Sequence, residues 1–139
     1  MNGSTMSAIL RRVLTYLSVI VVVSLLWSTS GAALSGTVGE TETGLAAVYG
    51  SKLNGHRTAS GGHYNPKALT AAHQTLSFGT KVKVTNVKNN KSVVVKITDR
   101  GPKQAGRILD LSSSAAKALG IGRNATAEVK LEVVEVAKK

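Results

Sequence analysis

Two alternating segments joined by a short polar turn constrain this chain more than any other feature. Thr80–Val87 sets Val82 and Val84 on one side and Lys81, Lys83 and Thr85 on the other. Ser92–Thr98 repeats the period, with Val93, Val95 and Ile97 against Ser92, Val94 and Lys96. A period of two marks a half-buried strand, because successive side chains point to opposite faces. Lys88-Asn89-Asn90-Lys91 separates the two, and asparagine tolerates the positive φ of a tight turn. The pattern predicts a β-hairpin. It sits inside Leu69–Leu111, which also holds a lone histidine, His73, and an acidic turn, Asp99-Arg100-Gly101-Pro102. A second aspartate, Asp110, follows eleven residues after Asp99.

The rest of the chain is read against that hairpin. Leu45–Tyr49 predicts a short first strand. Gly50–Tyr64 is rich in Gly, Ser, Asn and His and predicts a long surface loop, of a length that in a small domain points to function. Leu69–His73 fits a short helical turn or a strand entry. Ser112–Leu119 predicts a short helix: Ser112 caps it, three alanines favour it and Gly120 ends it. Ala127–Val136 predicts the last strand, with Val129, Leu131 and Val133 inward and Glu128, Lys130 and Glu132 outward. Short alternating strands with one helix suggest a small closed barrel. Composition does not separate one six-stranded barrel from another.

The chain has 139 residues, enough for one domain. Residues 1–33 read as a signal peptide or N-terminal anchor: Arg11-Arg12, an apolar run from Val13 to Trp27, then Ser28 to Ala33, all small residues. Residues 34–43, LSGTVGETET, are small and polar and predict a linker. The folded domain is expected over 44–136. There is no cysteine, so neither a disulfide nor a lipidation site is available, and an exported fold must rest on packing.

Lys and Arg number 18 against seven acidic residues, a net charge of +11. Such a balance suits anionic partners. Nucleic acid is disfavoured by the export signal and by only five aromatic residues for base stacking. An anionic wall polymer or lipid headgroup fits an exported chain better, and a solvated basic face fits as well. No zinc spacing, phosphate-binding glycine loop or Ser/His/Asp pattern is present, so neither metal nor cofactor is expected.

Asp99 is the first candidate for chemistry. A carboxyl on a rigid turn can donate a proton to a leaving oxygen and later accept one; an aspartate in a turn also commonly bonds its own backbone. His73 can orient a carboxyl or bond a sugar, or sit buried as a structural residue. Asp110 reads as structural, anchoring a turn or pairing with Arg100 or Arg107. Gly101 and Pro102 read as structural members of the turn.

The ordered set Gly44-Leu45-Ala46, Tyr49-Gly50, Thr58-Ala59-Ser60-Gly61, Tyr64-Asn65, Leu69–His73, Phe78-Gly79-Thr80, Asp99–Pro102 and Asp110-Leu111-Ser112 resembles the RlpA-like (rare lipoprotein A) proteins. The resemblance implies a six-stranded double-psi β-barrel, mainly β, with one or two short helices. It implies a monomeric lytic transglycosylase, periplasmic or secreted, that cleaves MurNAc–GlcNAc β-1,4 bonds of peptidoglycan to 1,6-anhydro ends, without a cofactor. It implies catalytic roles for Asp99 and His73 in one groove. Thr58, Tyr64, Asn65 and Arg100 are expected to touch substrate. The membrane would be met only through an uncleaved N-terminal segment. One departure stands out: the family pattern carries a glutamate where this chain has Gly62. That departure keeps two alternatives open. One is a weak or inactive wall-glycan-binding module of expansin type; the other is a secreted interaction protein built on the same barrel.

Overall fold

A computed structural model describes residues 36–138. The expected signal segment, 1–33, lies outside the described residues. Six strands are described: β1 Thr41–Val48, β2 Thr70–Ala72, β3 Lys81–Asn86, β4 Ser92–Asp99, β5 Arg107–Leu111 and β6 Ala127–Glu135. One short helix, α1, spans Ser113–Ala118. The strands close into a barrel in the order β1-β5-β2-β4-β3-β6. β1/β5 and β2/β4 run parallel and the other pairs antiparallel.

The hairpin forms where the alternation predicts it. Val82 faces Val95 and Val84 faces Val93 across β3 and β4. Val82, Val84, Val95 and Ile97 are buried, as are Val129, Leu131 and Val133 of β6. Asn90 turns the chain at φ 58°. Leu76, Leu109, Leu111 and Leu119 complete the core. Each fully buried side chain of this size contributes roughly 1.5–3 kcal/mol relative to exposure. Ser112 caps α1 through its Oγ, which accepts from the Ala115 N–H and donates to the Ala68 carbonyl. Gly120 ends the helix at φ 72°, and the side-chain amides of Asn86 and Asn89 bond the Leu119 carbonyl.

Three elements were misread or left open in the sequence reading. The expected linker, 34–43, is part of the barrel at its C-terminal end. β1 begins at Thr41, Glu42 pairs with Leu131, and the Val133 N–H donates to the Glu40 carbonyl at 2.9 Å. Backbone pairing needs no apolar side chain, so the polar run hid it. The Leu69–His73 segment is a strand, one of the two forms the sequence allowed. Its three strand residues, Thr70–Ala72, lie between β4 and β5. The third is β5, which the sequence reading left without an element. The long loop keeps its place but is ordered by a 3-10 turn at Ser51–Leu53 and an antiparallel bridge between Arg57 and His63.

One glycine is required by the barrel wall. A Cβ at Gly44 would lie 2.7 Å from Ile108 Cγ2 and 3.3 Å from the Gly106 carbonyl, so β1 and β5 approach only because Gly44 has no side chain.

Candidate active site

A one-residue slip in the sheet builds the site. Ile97 pairs with Ala71 and points into the barrel. Asp99, two residues on, would share that inward phase. Between Ala71 and Ala72 the register shifts, and Ala72 meets Asp99 instead of Thr98. On its other side Ala72 pairs with Asp110 of β5. Asp110 faces away from the core, because Leu109 and Leu111 on either side are fully buried. The slip therefore turns Asp99 to the face that carries Asp110, a common use of bulges beside functional groups. Ala72 between them adds only a methyl.

Asp99 is held by three donors. Its Oδ1 accepts from the backbone N–H of Ala59 at 3.0 Å and of Arg100 at 2.9 Å. Its Oδ2 accepts from the Tyr49 hydroxyl at 3.3 Å. The first of these donors comes from the long loop, whose Ser60 N–H also bonds the Thr98 carbonyl. The loop is thereby pinned over the end of β4. Tyr49 follows β1, and its N–H bonds the Leu111 carbonyl. Its ring lies 4.8 Å from that of Tyr64. Burial, then the charges of Asp99 and Asp110, hold the Tyr49 phenol far above its ordinary range, so it stays a donor.

Asp110 is half-buried and paired with Arg107, Oδ1 to Nη2 at 3.1 Å. Burial raises its pKa above the ordinary carboxylate value; Arg107 opposes the shift and Asp99 adds to it. Gly101 passes close by at φ 132°, where a side chain is strained. A Cβ there would lie 3.6 Å from Asp110 Oδ2. Arg107 is one of the two partners the sequence offered for Asp110; the nearness to Asp99 was not foreseen.

The His73 ring has partners other than the Asp99 carboxylate. The ring is buried, and its Nε2 meets Glu42 Oε2 at 2.9 Å. Its Nδ1 accepts from the N–H groups of Thr75 and Leu76 at 3.1 and 3.2 Å. Two donors at Nδ1 assign the proton to Nε2, which donates to Glu42. Both ring nitrogens are thus engaged away from Asp99, and the link between the residues is backbone, His73 N–H to the Asp99 carbonyl.

Arg100 is likewise committed within the fold. Its Nη1 donates to the carbonyls of His73 and Leu76 at 3.1 and 2.8 Å, and its guanidinium lies 3.9 Å from the Phe78 ring centre. Through Nη1 it fastens the Asp99 turn to the His73 turn, and the side chain remains exposed. Thr58, Tyr64 and Asn65 do come together, lining a pocket of about 280 Å³ with Gly62, Lys96 and Thr98. Tyr64 is mostly buried, and its hydroxyl accepts from the Ser113 N–H. Sequence reasoning missed Tyr49 as a site residue, although Tyr49-Gly50 stood among the matched residues; its pairing to Asp99 spans 50 positions.

The closed barrel with two parallel pairs, an aspartate at the end of β4 and a pinned loop above it define a double-psi β-barrel protein with a carboxylate site. The family described as lytic transglycolase matches residues 41–131, and the chain belongs to that family. It is RlpA-like: the chain is 50% identical over 99 residues to a "probable endolytic peptidoglycan transglycosylase RlpA" of Synechocystis, covering 71% of this chain and 31% of that protein. It is 49% identical over 100 residues to the endolytic peptidoglycan transglycosylase RlpA of Vibrio cholerae, covering 72% of this chain and 38% of that protein. The aligned part thus spans about a third of the length of these relatives. Among solved structures, a Clavibacter michiganensis expansin shares the fold at TM-score 0.54 and 22% identity, over 72% of this chain and 53% of that one. The Streptomyces papain inhibitor does so at TM-score 0.55 and 17% identity, over 70% and 97%.

Proposed function

We propose that this protein is an exported lytic transglycosylase that cleaves the MurNAc–GlcNAc β-1,4 bonds of peptidoglycan and leaves 1,6-anhydro ends. The observation that carries the reading is the Asp99 carboxylate, held by Ala59, Arg100 and Tyr49, in a chain of the lytic transglycolase family. No water nucleophile is needed in such a reaction. The C6 hydroxyl of the muramic sugar attacks its own anomeric carbon as the bond to the next sugar breaks. A fixed carboxylate stabilises the oxocarbenium-like charge and takes the hydroxyl proton. Three donors occupy three of the roughly four lone-pair positions of Asp99, and one remains for that proton. Thr58 and Asn65 supply polar edges for the glycan in the neighbouring pocket. His73 acts through the backbone that positions Asp99, and the exposed lysines suit an anionic wall.

The test is to incubate the protein with peptidoglycan and read the products by mass spectrometry. Anhydro-muropeptides released by the wild type and abolished in Asp99→Asn are the expected result. Sedimentation with peptidoglycan without release would leave a glycan-binding module of expansin type. Neither release nor sedimentation would leave an interaction protein.

A further inference from the structure

Asp99 accepts at three of its roughly four lone-pair positions, and the fourth takes the C6 hydroxyl proton. Its three partners are all donors, so each bond uses Asp99 as an acceptor. A leaving sugar oxygen nevertheless needs a proton, because an alkoxide is a poor leaving group. Gly62 offers none, and Tyr49 is spent on Asp99.

Asp110 has the free oxygen. Arg107 takes Oδ1 through Nη2, and among the described residues Oδ2 has no hydrogen-bond partner. The ion pair is a single bond: Arg107 Nε is buried without a partner, so the guanidinium does not clasp both oxygens. The Asp110 side chain is 21% exposed, enough for contact with a ligand while staying desolvated on its inner side. Gly101 stands over Oδ2 with no Cβ to close it off. Ala72 separates it from Asp99 by one strand and adds only a methyl.

We infer that Asp110 is the general acid of the cleavage, with Asp99 as the base. This inference rests on the reading above. In the step, Asp110 Oδ2–H gives its proton to the glycosidic oxygen as the C1–O4 bond breaks and its electron pair leaves with that oxygen. The C6 hydroxyl oxygen forms the new C1–O6 bond, and its proton passes to Asp99. Exchange with solvent then returns a proton to Asp110 and removes one from Asp99. Burial and the Asp99 charge favour the protonated acid, and the charged or titrating groups facing it are Arg107, Asp99 and Tyr49.

The experiment compares two substrates. One is a natural glycan strand; the other is a muramic-terminated oligosaccharide with a nitrophenyl leaving group, which departs without a proton. Asp110→Asn keeps an oxygen for Arg107 but carries no acidic proton. It is expected to lose about 10²–10⁴-fold on the natural strand. On the nitrophenyl substrate it should stay within a few fold of wild type, which also shows that it is folded. Asp99→Asn should lose activity on both. Arg107→Gln gives a second reading, because removing the cation should move the alkaline limb of the wild-type pH profile to higher pH. Asp110→Asn that keeps its natural-strand activity, or loses both substrates alike while its circular dichroism matches wild type, overturns the inference and leaves the transglycosylase reading standing. A wild type that releases anhydro product from neither substrate overturns both.

Discussion

The His73 ring is joined to the Glu42 carboxylate, Nε2 to Oε2 at 2.9 Å, across 31 positions of sequence. Its other nitrogen holds the N–H groups of Thr75 and Leu76. The turn they form presents the His73 and Leu76 carbonyls that fasten Arg100, the neighbour of Asp99. His73 is thus a brace for the Asp99 turn.

The brace predicts different fates for two substitutions. His73→Ala leaves two backbone donors without an acceptor and is expected to cost about 2–4 kcal/mol in urea unfolding. His73→Asn puts an amide oxygen near the place of Nδ1 and should recover most of that loss, and most of the activity, though it cannot titrate. If His73→Asn is stable but inactive, the ring itself takes part in the chemistry.

Tyr49→Phe removes one donor to Asp99 and nothing from the ring packing against Tyr64. The hydrogen bond to a charged group is worth about 1.5–3 kcal/mol, so the rate of anhydro-product release should fall roughly 10- to 100-fold. The melting temperature should move by only a few degrees. An unchanged rate would place the hydroxyl outside the reaction.

Gly62→Glu should fold. Gly62 has no positive φ, unlike Gly61 at φ 98°, and a Cβ at Gly62 meets only Thr58 Oγ1 at 3.8 Å. The new carboxylate would enter the pocket lined by Thr58 and Lys96. An increased rate of anhydro-product release is expected, measured beside a thermal melt. A decrease with an unchanged melt would show that the added charge opposes substrate.

Asp110 also makes stability depend on pH. Its folded pKa lies above the ordinary 3.8, so the native state binds more protons than the unfolded state just above that value. Stability from this group is therefore present at low pH and lost as pH rises through the folded pKa. Subtracting the unfolding free energy of Asp110→Asn from that of wild type across pH 3–7 should give a difference that declines with pH. A rising difference would mean that the Arg107 pair outweighs burial.

Gly44→Ala tests the barrel wall independently of the site. The clash with Ile108 should cost about 1–3 kcal/mol in chemical unfolding, against near neutrality for an exposed Gly39→Ala control corrected for its positive φ.

The amino-acid sequence by itself determined the β3–β4 hairpin, β6 and α1. In each, the deciding information is local: a period of two, an asparagine turn, a serine cap and a glycine stop. It also marked Asp99 as the leading carboxylate, because the acidic turn is contiguous. Only the tertiary structure decided β2 and β5. Thr70–Ala72 is too short and too rich in alanine to mark itself as a strand, and it is one because β4 and β5 offer hydrogen bonds on both sides. Glu42, in a run that reads as linker, became the partner of a buried histidine by the same long-range pairing. The meeting of Asp99, Tyr49 and Asp110 depends on a one-residue slip beside Ala72. A slip is a property of two strands in register, and no single strand carries it.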